Sequence, residues 1–184
     1  MPHISDYEGC AVRGEMIIFQ RRVADLTEVA LRRFVKRARV AAGLTGGVNV
    51  LLTTSREMNL LNRRFRKKDK PTDVLSFPAA TEIQKQLAGD IAISADIATR
   101  NARALGHSPS EEVKILVLHG ILHLRGYDHE CDNGKMQRRE KQLRAELRLP
   151  LGLIERSSGD TGASGASGKR SHAGKSVSEK RKGS

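Results

Sequence analysis

The sequence contains no tryptophan and only two cysteines, and its aromatic residues make up 3% of 184 residues. Two cysteines cannot build the disulfide framework of a small secreted domain, so we expect a cytoplasmic protein in a reducing compartment. No apolar run approaches the roughly 20 residues that a membrane-spanning helix needs, and we expect no membrane partner. The acidic N-terminus, with Asp6 and Glu8, lacks the apolar core of a signal peptide.

The balance of charge is strongly basic, with 33 Lys or Arg residues against 21 Asp or Glu residues and a formal net charge of +12. Such a balance points to a polyanionic partner, which is most often a nucleic acid. A basic surface that is merely solvated would have the same composition and is the alternative interpretation.

The composition divides the chain into three parts. Residues 1–14 form an N-terminal extension, and residues 15–155 are predicted to be one domain with an aliphatic core of Val, Leu and Ile. Residues 156–184 are almost entirely Gly, Ser, Ala, Lys and Arg, so this tail is predicted to be disordered because it has too little apolar surface to offset its ordering entropy. The tail is either a solvated appendage or a loose phosphate-binding arm.

Residues 15–155 carry both strand and helix patterns, which predict a mixed α/β (α+β) fold with a small central sheet packed against helices. Helix 26–42 is expected to bury an apolar stripe of Val29, Leu31, Phe34, Val35 and Ala38. Strands are predicted at 16–20, 48–52, 74–77 and 89–94, and helices at 26–42, 54–65, 96–105 and 133–148.

A fifth helix is predicted to lie in the centre of the domain because residues 113–124 are apolar on nearly every side. Ser108 is its candidate N-cap, Pro109 falls at the first helical position, and Glu111 sits where a capping box needs a carboxylate. A buried helix is a rigid platform of the kind that a metal site requires.

Three histidines, His119, His123 and His129, form a metal-ligand pattern on and just after this helix. Histidines four residues apart share one face of a helix, roughly 6 Å apart along its axis. Gly126 permits a turn that brings His129 back as a third ligand. Three nitrogens leave the fourth position of one tetrahedral Zn²⁺ per chain open for water, which is the arrangement of a catalytic site.

The histidine spacing matches the skeleton of metzincin proteases, which place a glutamate directly after the first histidine as general base. Gly120 occupies that position here, so a metalloprotease is an alternative that the sequence opposes. Cys131 is a possible fourth ligand that would make the site structural, although its separation of two residues from His129 is cramped. The remaining interpretation of the pattern is that the three histidines have unrelated structural roles.

A second segment, 63–71, holds six cations and leads directly into the strand predicted at 74–77. Such a run is usually a solvated face. Because the neighbouring strand fixes one end of this segment, we expect some of the cations to be held on a scaffold. An arginine held in this way can bind a phosphate through two parallel hydrogen bonds and can stabilise charge that develops on its oxygens.

Three segments together resemble the bacterial YbeY family, in the order in which that family carries them: 66–78 with TDVLSFP at its end, GDIAIS at 89–94, and 119–129. The resemblance covers residues 16–154. Members of this family are rRNA maturation factors and metal-dependent single-strand endoribonucleases. The resemblance implies His119, His123 and His129 as zinc ligands, with Arg66 as the arginine that engages RNA phosphate in a cleft.

The resemblance also implies an enzyme that processes the 3′ end of small-subunit rRNA and acts with the small ribosomal subunit in ribosome maturation and quality control. We expect single-stranded RNA and not DNA as substrate, Arg66 and the zinc ligand His119 as catalytic residues, and Lys67 and Lys68 along the RNA backbone. The general base is unassigned, since Asp128 suits a turn-forming role equally well. A non-catalytic RNA- or ribosome-binding factor with structural zinc is the alternative to an enzyme.

Overall fold

The sheet at the centre of the domain has four strands, and the computed structural model describes residues 15–128 and 132–150. The strands are β1 (Ile17–Phe19), β2 (Gly47–Thr53), β3 (Val74–Pro78) and β4 (Leu87–Ser94). They lie in the order β1-β2-β4-β3, with β1, β2 and β4 parallel and β3 antiparallel to β4 at one edge. The predicted small mixed sheet is confirmed. The predicted extension 1–14 and tail 156–184 lie outside the described residues.

Within the described residues, five helices and one short 3₁₀ turn at Thr81–Ile83 connect and cover these strands. The helices are α1 (Glu28–Ala42), α2 (Ser55–Arg66), α3 (Ala95–Leu105), α4 (Pro109–Leu124) and α5 (Lys135–Leu147). All five predicted helices are confirmed to within two residues at each end. None of the helices in the described part of the chain is long and apolar enough to span a membrane.

The prediction that Val29 belongs to the apolar stripe of α1 was wrong, because its side chain is 59% exposed. Val29 lies two positions before the fully buried Leu31, and this offset turns its side chain about 200° around the helix axis and away from the core. The other members of the predicted stripe, Phe34, Val35 and Ala38, are buried.

The two faces of the sheet are covered by different helices. Val48, Val50 and Leu52 alternate along β2 and pack into the larger core, which α1, α4 and α5 complete. The intervening Leu51 packs instead with Met58 of α2 in a smaller cluster on the opposite face. The sheet therefore separates α2 from α1, α4 and α5.

Helix α4 lies in the middle of the larger core, and every residue from 115 to 122 is buried. Its start is fixed by the predicted capping box. The hydroxyl of Ser108 accepts the backbone N–H of Glu111, and the Glu111 carboxylate accepts the backbone N–H of Ser108 at 2.8 Å. Pro109 takes the first helical position. The predicted capping box and the predicted proline at the first helical position are both confirmed.

Gly120 allows α4 to approach the sheet closely. A Cβ atom at this position would lie 2.8 Å from Cδ1 of Ile91 in β4 and 3.0 Å from Oγ of Ser76 in β3. The Ser76 hydroxyl also donates to the Gly120 carbonyl at 3.4 Å. The glycine is therefore a packing requirement, whereas the sequence alone showed only that a glutamate is missing from this position.

We expect Gly120→Ala to destabilise the domain. Alanine improves helix propensity by about 1 kcal/mol, but overpacking a well-packed core costs about 1–3 kcal/mol. The net loss should be about 1 kcal/mol in urea unfolding. Ile91→Val removes the nearest atom, Cδ1, so the double variant should lose less stability than the two single variants added together. Strict additivity would contradict this packing account.

Glu111 should make the stability of the domain depend on acid pH. Hydrogen bonds from the Ser108 backbone and side chain lower the pKa of the Glu111 carboxyl below its ordinary value. A carboxyl whose pKa is lower in the folded state than in the unfolded state stabilises the fold at pH values above its unfolded-state pKa. This contribution is lost as the pH falls through the folded-state pKa. Glu111→Gln should therefore reduce the free energy of unfolding at pH 7, and the difference from the wild type should vanish in strong acid. The exposed Glu82→Gln is the control, and a difference independent of pH would contradict the assignment.

Candidate active site

Two of the three predicted metal ligands converge on successive turns of α4. The Nε2 atoms of His119 and His123 lie 3.1 Å apart, and the two rings meet edge to face with centroids 4.8 Å apart. Two imidazole nitrogens that share a tetrahedral zinc ion are separated by roughly 3.3 Å, given zinc–nitrogen distances of about 2.0–2.1 Å. His119 is buried and His123 is half-buried, so the pair lies at the edge of the core and not deep within it.

Glu140 of α5 holds the other ring nitrogen of His119. Its Oε2 lies 3.0 Å from Nδ1 of His119, and both side chains are buried. An ionised carboxylate only accepts hydrogen bonds, so Nδ1 carries the proton and donates it to Glu140. The Nε2 atom of a neutral His119 then presents its lone pair towards His123. This protonation state suits a divalent cation, because zinc binds neutral imidazole through an unprotonated nitrogen.

The rest of the predicted ligand set lies outside the described residues. This applies to the third predicted ligand, His129, and to the alternative ligand Cys131. Within residues 15–128 and 132–150, no group of three or more His, Cys, Asp or Glu residues is placed to hold a metal ion. The three-histidine set therefore stays a prediction. Gly126, two residues after the end of α4, adopts a left-handed φ of 93°.

The predicted phosphate-binding residues lie at the end of α2. Arg66 is the last residue of this helix, and Lys67 terminates it in a left-handed conformation with φ of 58°. Arg66, Lys67 and Lys68 are all exposed. The loop that follows is fixed by the buried Asn62, whose Nδ2 donates to the carbonyl of Lys70 at 2.7 Å. These cations are therefore carried by a braced segment, as the sequence predicted.

The edge strand β3 connects the cationic loop to the histidine pair. The Phe65 ring packs edge to face on Phe77, with centroids 5.0 Å apart, on the face that α2 covers. The hydroxyl of Ser76 contacts the Gly120 carbonyl of α4 on the other side. Arg66 and His119 are the chain neighbours of Phe65 and Gly120, so β3 lies between the end of α2 and the helix that carries the histidine pair.

Sequence reasoning missed Glu140, although the sequence contained a signal for it. Glu140 occupies the buried stripe of α5, together with Met136, Leu143 and Leu147. A charged residue is almost never fully buried unless it has a partner, so its place on an apolar stripe could have suggested a polar contact inside the domain.

Phe65 was also missed. Its side chain is 55% exposed, and the guanidinium carbon of Arg64 lies 5.4 Å from the ring centroid. Aromatic residues make up only 3% of the sequence, so few of them are available for base stacking. An exposed ring among cations is nevertheless the usual chemistry of a single-strand nucleic-acid site, and Phe65 interrupts the run of six cations.

Comparisons with known proteins agree with this architecture. The family model described as Endoribonuclease YbeY matches residues 12–148. The chain is 56% identical over 141 residues to the endoribonuclease YbeY of Koribacter versatilis, covering 77% of this chain and 91% of that relative. It is 46% identical over 143 residues to the endoribonuclease YbeY of Solibacter usitatus, covering 78% of this chain and 95% of the relative.

A solved structure shows the same fold. The solution structure of a protein from Thermotoga maritima matches with a TM-score of 0.50 and 29% sequence identity, covering 85% of this chain and 99% of that chain. The family match spans the sheet, the buried helix α4 and the cationic loop together. The chain therefore belongs to the endoribonuclease YbeY family.

Proposed function

We propose that this protein is a zinc-dependent endoribonuclease that cleaves single-stranded RNA. The observation that carries the proposal is the convergence of His119 and His123 through their Nε2 atoms, with Oε2 of Glu140 3.0 Å from Nδ1 on the other side of the His119 ring. The exposed cations at the end of α2 supply the electrostatic attraction that an RNA backbone requires.

Membership of the family extends the proposal to the biological substrate. We propose that the enzyme acts in the cytoplasm on rRNA, at the 3′ end of the small-subunit RNA, together with the small ribosomal subunit. The excess of 33 Lys or Arg over 21 Asp or Glu residues supports a large polyanionic partner.

His119 and His123 would hold the zinc ion together with the predicted third ligand, His129. When bound, zinc supplies Lewis-acid chemistry that makes water a competent nucleophile near neutral pH. Glu140 keeps the proton on Nδ1 of His119 and orients the ring, so that Nε2 is available to the ion.

The residues at the end of α2 bind the RNA. The Arg66 guanidinium can grip a phosphate bidentately and stabilise negative charge that develops on its oxygens during cleavage. Lys67 and Lys68 act as point charges along the backbone. The exposed ring of Phe65 offers a stacking surface for one unpaired base, which favours a single strand over a duplex.

The packing of α4 opposes the metalloprotease alternative. The position that carries the general base in those proteases is Gly120, which faces Ile91 and Ser76 at distances too short for a Cβ atom. A carboxylate at this position would require the side chains of Ile91 and Ser76 to shift or the helix to move away from the sheet. The packing therefore disfavours a general base at position 120, in addition to the absence of a glutamate there.

Arg66→Ala should lower the rate of RNA cleavage about a hundredfold, because it removes a donor that stabilises transition-state charge. Zinc content should be unchanged, since Arg66 lies at the end of α2 and the histidine pair lies on α4. The matched control is Arg56→Ala, an exposed arginine in the first turn of the same helix. Cleavage of a single-stranded oligoribonucleotide measures the effect, and equal activity of the two variants would refute the role of Arg66.

Glu140→Ala should weaken zinc binding roughly 10- to 100-fold, because the ring of His119 loses the acceptor that fixes its tautomer. Glu140→Gln keeps an acceptor oxygen without the charge and should lose less affinity. Competition with a chelator of known affinity measures both effects without relying on activity. The control is Glu146→Gln, an exposed glutamate on the same helix. Unchanged zinc affinity in Glu140→Ala would show that Glu140 has a structural role only.

A further inference from the structure

Helix α1 presents a row of cations to solvent. Arg33, Lys36 and Arg37 are all exposed, and their spacing of three and four residues places them on one face of the helix. No ion pair among the described residues involves any of these three side chains. The neighbouring Arg32, in contrast, is paired with Glu28 one turn earlier. Within residues 15–128 and 132–150, the outer face of α1 therefore carries positive charge that no ion pair neutralises.

Helix α5 adds cations to the same surface. Arg139 donates from Nη2 to the carbonyl of Ala41 at 2.7 Å, which ties α5 to the end of α1. Lys135 lies one turn before Arg139 and shares its side of the helix. A groove of about 380 Å³ runs between the two helices, with Lys36 and Arg37 on one wall and Glu146 on the other. We call the set Arg33, Lys36, Arg37, Lys135 and Arg139 the α1–α5 basic face.

The α1–α5 basic face differs chemically from the cationic loop at Arg66. The aromatic residue of α1, Phe34, is buried, and α5 contains no aromatic residue, so this face offers no ring on which a base could stack. Sites for single strands rely on such rings, whereas RNA duplexes are recognised through their backbone because their bases are paired inside. The cations without aromatic rings fit the phosphates of a double helix.

The two cationic surfaces also lie on opposite sides of the sheet. The larger core contains α1 and α5 and covers one face, while α2 and its smaller cluster cover the other. An RNA that engages both surfaces must therefore pass around an edge of the sheet.

We propose that the α1–α5 basic face binds the phosphate backbone of a double-helical segment adjoining the single strand that enters at Arg66. This inference rests on the proposed function, because it assumes an RNA substrate. Its consequence is that the enzyme selects single strands that emerge from structured RNA, as rRNA ends do, over free single strands of the same sequence.

The test compares two RNAs, a hairpin with a single-stranded 3′ extension and that extension alone. The variant is the triple substitution Arg33→Gln, Lys36→Gln and Arg37→Gln. The matched control is Lys85→Gln, Arg100→Gln and Arg103→Gln, which removes the same charge from exposed positions off this face. Fluorescence anisotropy over a series of KCl concentrations gives the dissociation constants, and thermal unfolding checks that all proteins are folded.

We expect the wild type to bind the hairpin RNA more tightly than the extension alone. The variant should lose about tenfold or more in affinity for the hairpin, and its salt slope should fall by roughly 2–3, because each lost phosphate contact contributes about 0.7–0.9. Its binding and cleavage of the extension alone should match those of the control.

Equal losses for both RNAs, or no loss for the hairpin, would overturn the inference and leave the proposed function standing. A wild type that neither binds nor cleaves the single-stranded extension would instead overturn the proposed function on which the inference rests.

Discussion

The close approach of α4 to the sheet at Gly120 is the constraint on which the site depends. The helix carries both histidines, and its depth in the core decides where their rings emerge. A side chain at position 120 would meet Ile91 and the Ser76 hydroxyl at 3.0 Å or less. Since protein interiors are packed to the density of organic crystals, such a clash requires the side chains of Ile91 and Ser76 to shift or the helix to move. The absence of a side chain at position 120 therefore lets α4 lie at the depth from which the two imidazoles emerge.

The buried pair of His119 and Glu140 adds a second constraint, between α4 and α5. A carboxylate in an apolar core is unfavourable unless it is hydrogen-bonded, so Glu140 stabilises the packing of α5 only while His119 stays in reach. Arg139 ties the same helix to α1 through the Ala41 carbonyl. Glu140 thus holds the His119 ring, and its chain neighbour Arg139 belongs to the α1–α5 basic face. One helix connects the proposed metal chemistry to the proposed binding of structured RNA.

Local sequence rules predicted most of the fold. The alternation in β2, the capping box at Ser108 and the apolar composition of α4 each depend on residues close together in the chain, and each was confirmed. Val29 was misassigned because an apolar residue near the start of a helix was counted without regard to its angle around the axis. The convergence of His119 and His123 followed from their spacing, whereas Glu140 required knowledge of which helix packs against α4. Such contacts between distant segments are set by the tertiary fold and are not visible in a periodicity.

The central claim is that nitrogen ligands hold one zinc ion and leave a position open to water. X-ray absorption at the zinc edge of the purified, zinc-loaded protein tests this claim most directly. The account predicts only nitrogen and oxygen scatterers, at about 2.0–2.1 Å, with the imidazole signature of three histidines. A sulfur scatterer at about 2.3 Å would place Cys131 in the fourth position and make the site structural. That result would contradict the catalytic role proposed for the histidine pair.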